Sequence, residues 1–207
     1  MTNTASATTN QVSRKLTLAD IADVRAYERE RDSFRAEVIA LKARRRVSVG
    51  TLVTFLFENR ATMRFQIQEM ARVEKLVTDE AIQGELDAYN PLIPEAGQLC
   101  ATMFIELTSD DQVREWLSKL AGVEHSVVVR LADGSEVRGQ LDAQHESQLT
   151  RPDVTAAVHY LTFTFTPAQV DAFRESVSLR TLHPNYTEHA VLTADTIAEL
   201  RTDLVAD

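Results

Sequence analysis

The hydrophobic pattern of this chain changes period partway through one stretch, residues 52–76, LVTFLFENRATMRFQIQEMARVEKL. It opens with alternation. Val53, Phe55 and Phe57 share one face and Leu52, Thr54, Leu56 and Glu58 the other, which predicts a strand. After Asn59 the repeat becomes helical, with Met63, Ile67, Met70 and Val77 on one stripe. Projected at about 100° per residue, Thr62, Gln66 and Glu69 fall inside an apolar arc bounded by Phe65, Val73 and Val77, and Gln68 faces solvent. A buried amide or carboxylate must find partners or lose its hydration uncompensated. A polar site is therefore expected on this helix.

Upstream, Ile21, Val24, Tyr27, Phe34, Val38 and Leu41 recur every three or four residues. The pattern predicts one long helix, capped by Thr17 with Asp20 in the capping-box position and ending near Arg44 to Arg46, whose charges suit the helix C-terminus. Charges around Arg29 to Asp32 cover its outer face, and Gly50 marks the turn into the strand at 52–58. Downstream of the helix at about 61–76, Thr78 caps a shorter helix that buries Ile82, Leu86 and Tyr89. Asn90-Pro91 stops it, because the residue before proline disfavours the helical conformation.

The second half reads as strand-rich. Residues 99–107 alternate with apolar groups on both faces, predicting a strand covered on both sides. Ser109-Asp110 caps a helix with Val113, Trp116, Leu117 and Leu120, and Gly122 ends it. VVVRLADGSEVRGQL predicts a hairpin turning at Asp133-Gly134. A polar loop over 142–153 and a strand over 156–165 follow, and Thr166-Pro167 opens a helix through Val170 and Phe173. A strand at 177–182, a loop, and a helix from Thr193 through Ile197, Leu200 and Leu204 complete the pattern. The class is α+β, with a mixed, mainly antiparallel sheet, a long N-terminal helix and several packed helices. Residues 1–13, poor in apolar anchors, read as a disordered tail. Residues 14–207 read as a single domain, helix-rich over 14–96 and strand-rich over 97–207.

Composition narrows the function classes. With 44% hydrophobic and 26% charged residues among 207, the chain has the make-up of a folded soluble protein. A net charge of −9 opposes nucleic-acid and anionic-membrane roles. No run has the length of a membrane span, and the N-terminus lacks a signal-peptide pattern, so a cytoplasmic location is expected. The single cysteine, Cys100, sits within an apolar strand and reads as an inert buried thiol. The basic run Lys42, Arg44, Arg45, Arg46 reads as a solvated helix end.

The strongest candidates for ligand or partner binding are Glu58, Gln66 and Glu69, with Arg60, Arg64 and Arg72 close enough in sequence to pair with the acids or hold an anion. The competing reading is a buried structural network. Metal ligands are not expected, because His125, His145, His159, His183 and His189 are scattered with no paired cysteines. One convergence is conceivable, His183 with His189 around Glu188 in the HPNYTEH loop. No cofactor is expected, and the protein should purify colourless and free of stoichiometric iron. No phosphate loop, dinucleotide fingerprint or nucleophile elbow appears.

The segments Phe57-Glu58-Asn59, Gln66 through Met70, Glu85 through Pro94 and His183-Pro184-Asn185-Tyr186 resemble a bacterial family of unknown function, over roughly residues 14–204. That resemblance carries no catalytic residue. It implies, through the genes that accompany the family, a place in redox or peroxide metabolism beside a rubrerythrin and an iron–sulfur oxidoreductase of the heterodisulfide-reductase type. With one cysteine and no Glu-x-x-His helix, the chain resembles neither partner. The implied role is a non-enzymatic accessory or adaptor. The alternative is a small-molecule-binding protein or enzyme with its polar site at the 58–72 strand–helix junction.

Overall fold

The computed structural model describes residues 14–141 and 154–205. The tail expected at 1–13 and the polar loop expected at 142–153 lie outside the described residues.

Alternating strands generate two antiparallel sheets. The first runs in the order β1 (Arg46–Val49), β2 (Val53–Glu58), β3 (Gln98–Ile105), β7 (Val158–Thr164) and β6 (Gln140–Leu141). The second runs β5 (Glu136–Arg138), β4 (Val127–Arg130), β8 (Ser178–His183) and β9 (Tyr186–Val191). In the first sheet the register sets Val53 opposite Ile105, Phe55 opposite Met103 and Phe57 opposite Ala101. One face therefore presents Val53, Phe55 and Phe57, as the alternation predicts. They join one apolar cluster with Val127, Val129 and Leu179 of the second sheet. The opposite face carries Glu58, Thr102 and Tyr160 and lies under two of the helices.

The helices among the described residues are α1 (Val24–Arg45), α2 (Arg60–Glu74), α3 (Asp79–Tyr89), α4 (Asp110–Lys119), α5 (Pro167–Ala172) and α6 (Ala194–Leu204). Trp116 of α4, Val170 of α5 and Leu200 of α6 pack into the first cluster, whereas α2 and α3 cover the face that bears Tyr160. A second cluster forms on that face from Met63 and Ile67 of α2, Leu86 of α3, and Leu16, Leu92 and Ile93 from flanking segments. The α+β class and the long N-terminal helix are as the sequence predicts. Among the described residues no helix is long and apolar enough to cross a membrane.

Local details differ from the sequence reading. Thr17 caps only the 3-10 turn Leu18–Asp20, its backbone N–H donating to the Asp20 carboxylate at 2.8 Å. The chain is extended at Ile21, and Asp23 opens α1 by accepting from the Ala26 amide at 2.9 Å. The expected continuous apolar face of α1 is interrupted: Tyr27 and Val38 are buried, while Phe34 and Leu41 are only half-buried. Residues 46–49, expected at the helix end and turn, form β1 and pair with β2. The loop expected after β8 is the strand β9.

Arg45 is the largest correction, because it is fully buried rather than solvated. Its guanidinium donates to the carbonyls of Phe57 at 2.8 Å and Glu58 at 3.1 Å, to Glu199 at 3.1 Å, and to Asp203. A buried guanidinium is tolerated when its donors are filled, and here one side chain ties α1, β2 and α6 together.

Candidate functional site

The strand-to-helix change at Asn59 is a capping event. The Asn59 side chain accepts from the amides of Ala61 and Thr62, both at 3.1 Å, and the Thr62 hydroxyl accepts from the Asn59 amide at 2.9 Å. This fixes the rotation of α2 and distributes the six candidate residues into separate groups. Among the described residues no hydrogen bond or ion pair joins Glu58 to the other five.

Glu58 points into the layer between sheet and helices. One carboxylate oxygen accepts from the Thr102 hydroxyl at 2.8 Å, and the other is buried without a partner. Arg60 pairs with Asp20 at 2.5 Å. Arg64 donates to the Asp20 carbonyl at 2.8 Å and to Glu30 at 2.7 Å, and stacks over the Phe34 ring 4.7 Å from its centroid. Among the described residues Gln66 reaches only the Tyr89 hydroxyl, at 3.5 Å.

Glu69 is the centre of the third group. Arg31 from α1 grips it side-on, Nε to one oxygen at 2.7 Å and an Nη to the other at 2.9 Å. The buried Tyr27 hydroxyl donates to it at 2.8 Å, and Arg72 approaches at 3.3 Å. The Arg31 guanidinium first, with the Tyr27 and Arg72 bonds behind it, holds the Glu69 carboxyl down at about 2, against the opposing pull of burial. Burial, together with the hydrogen bond to this carboxylate, pushes the Tyr27 phenol upward.

Gln68, expected to face solvent, is buried at 1% exposure. Its amide closes a reciprocal pair on Ala22, accepting from the backbone N–H at 2.8 Å and donating to the carbonyl at 3.1 Å. Conversely Val73 and Val77, expected to bound the apolar arc, are 63% and 80% exposed. The buried face of α2 is therefore centred on Met63, Ile67 and Ala71, with Glu69 at its α1-facing edge. Sequence reading missed Tyr27, Arg31 and Gln68. The available signal was the tyrosine within the α1 stripe, since a buried phenol needs an acceptor.

Beside this group lies a cavity of about 460 Å³ between residues 18–25, the second half of α2 and the start of α3. Of the six candidates only Arg72 lines it, together with Tyr27 and Gln68.

A second polar cluster lies between the sheets. Glu124 is fully buried and accepts from Thr155 at 3.2 Å; its other oxygen has no hydrogen-bond partner and lies 3.8 Å from the His125 Nε2. The His159 Nε2 lies 2.7 Å from the Thr155 hydroxyl and 2.9 Å from the Ala156 carbonyl, and burial lowers its pKa. His183 and His189 do not converge. His189 is exposed opposite Arg180 on the β8–β9 ladder, whereas His183 donates from Nε2 to the Ala121 carbonyl at 3.1 Å and accepts the Asn185 amide at Nδ1. Cys100 is buried, and desolvation pushes its thiol upward, which disfavours the nucleophilic thiolate. Among the described residues no group of three His, Cys, Asp or Glu is placed to hold a metal ion.

The crystal structure of a novel protein of unknown function from Burkholderia pseudomallei is similar, with 36% sequence identity and a TM-score of 0.85 over 92% of this chain and 99% of that one. Among curated proteins none matches this chain significantly. The model of a family described as protein of unknown function, DUF3501, matches residues 15–204, and the chain belongs to that family.

Proposed function

We propose that this chain is a non-enzymatic accessory protein, a cytoplasmic adaptor in a redox or peroxide-defence system that contacts a rubrerythrin-like protein and an iron–sulfur oxidoreductase. One observation weighs against catalysis at the strand–helix junction. The candidate acids and arginines there are spent on fastening the N-terminal segment and α1 to α2, through Arg60–Asp20, Arg64–Glu30 and Glu69–Arg31. A general base needs a carboxylate whose pKa lies near the working pH, and Glu69 is held far below it. The redox partners rest on the family resemblance.

The test is direct mixing of the purified chain with the rubrerythrin-like protein and the iron–sulfur oxidoreductase of its own host, followed by sedimentation velocity. A complex of defined stoichiometry with either partner is expected. Independent sedimentation of all three at tens of micromolar would overturn the adaptor reading.

A second reading, small-molecule binding, is favoured by the cavity beside Arg72. It moves the site from the start of α2 to its far end.

A further inference from the structure

We propose that the cavity between residues 18–25 and the α2–α3 corner binds a small organic monocarboxylate with an apolar tail, its anion held by Arg72. At about 460 Å³ the cavity falls within the range of small-molecule sites. Its walls are largely hydrocarbon, from Leu18, Ile21, Leu76, Val77 and Ile82. Two of these, Leu18 at 37% and Val77 at 80% exposure, present apolar surface to water that an apolar ligand tail would cover.

Charge selects the head group. Glu69 is one carboxylate shared by two guanidiniums, Arg31 in side-on geometry and Arg72 through a single 3.3 Å bond. Arg31 takes both carboxylate oxygens, so Arg72 is the weakly compensated cation, and it is the one that lines the cavity. A carboxylate matches the planar geometry of a guanidinium. The rim also carries Arg25, Asp23 and Asp79. Asp23 is engaged in capping α1 and Asp79 lies in the first turn of α3. Arg72 and Arg25 are matched by the two aspartates, so a ligand of charge −2 brings more uncompensated charge than a single carboxylate, and a monocarboxylate suits the site better than a phosphate ester. This site is independent of the adaptor reading.

Calorimetric titration of the full chain with octanoate, 1-octanol and octyl phosphate at pH 8 tests the proposal. Octanoate should bind saturably at one site per chain, at least tenfold tighter than octanol or octyl phosphate, and raise the melting temperature. Arg72→Gln should weaken octanoate at least tenfold and leave octanol unchanged. Val77→Asp, at a position exposed enough to spare the fold, should weaken octanoate as well. No saturable octanoate binding would overturn the proposal, as would equal affinity for octanol, tighter binding of octyl phosphate, or octanoate affinity indifferent to both substitutions.

Discussion

At the scale of single residues, polar side chains beside the helices act as fasteners. Glu69→Ala leaves the Tyr27 hydroxyl and the Arg31 guanidinium without their acceptor, and should destabilise the protein by about 1–3 kcal/mol in urea or thermal melts. The effect has a pH signature. Glu69 has a folded pKa of about 2 against an ordinary 4.5, so its contribution is fully present above pH 4.5 and is lost as pH falls toward 2. The stability difference between wild type and Glu69→Gln should therefore be constant at neutral pH and shrink through that acid window. A difference independent of pH from 2 to 7 would show that the charge on Glu69 is not what matters. Its neighbours separate the same way. Gln68→Ala strands both the N–H and the carbonyl of Ala22 and should also lose about 1–3 kcal/mol. Gln66→Ala, which removes one long bond, should stay within about half a kilocalorie. Paired melts of these two variants check the ordering, and equal losses would contradict it.

At the scale of elements, the sequence was legible in several elements with one face on the core. Val53, Phe55 and Phe57 on β2, Ile82 and Leu86 on α3, and the Asp133-Gly134 hairpin lie where period and turn chemistry put them. It was misleading where pairing across space decides. β1 and β9 are short segments with mixed exposure whose strand character comes from their partners, β2 and β8. The rotation of α2 was misjudged by about one residue because residues 16–22 also cover it, so Gln68 is buried and Val73 is not. Arg45 was unreadable for a related reason: its acceptors are the ends of β2 and the distant α6. The candidate site was half legible. Glu69 was found, but the residues that explain it, Tyr27 and Arg31, sit on another helix.

The two-residue reach between sheets shows the same logic. The Tyr186 hydroxyl donates to the Val49 carbonyl at 2.7 Å and accepts from the Leu52 amide at 2.9 Å, so β9 pins the β1–β2 turn. Gly50 in that turn has φ +66°, and a Cβ there would meet the Tyr186 oxygen at 2.4 Å. Asn185 holds the Lys119 carbonyl at the end of α4 at 2.8 Å. Tyr186→Phe should cost about 1–3 kcal/mol by leaving two buried backbone groups unpaired. A thermal melt reads the loss, and an unchanged melting temperature would show that water replaces the hydroxyl.

At the scale of the whole molecule, the two sheets share one apolar cluster that α4, α5 and α6 also join, and α2 and α3 cover the polar-bearing face of the first sheet. By contrast, α1 is held largely by side-chain fasteners, with few of its own residues buried. The segments that carry the family resemblance include polar fasteners of α1 and of other elements, among them Asn59, Gln68, Glu69, Asn90 and Tyr186. Asn90 brackets Leu16 from both sides, accepting its amide at 2.8 Å and donating to its carbonyl at 2.9 Å. We expect residues 14–207 to unfold as one cooperative unit, with α1 the first element to open locally. Native-state hydrogen exchange followed by mass spectrometry, comparing wild type with Glu69→Ala, tests most directly whether the strand–helix junction serves to fasten α1. Exchange should accelerate across residues 24–45 and stay unchanged in β2, β3 and β7. Unaltered protection of α1 in the folded variant would contradict that role and return Glu69 to the list of groups kept for binding.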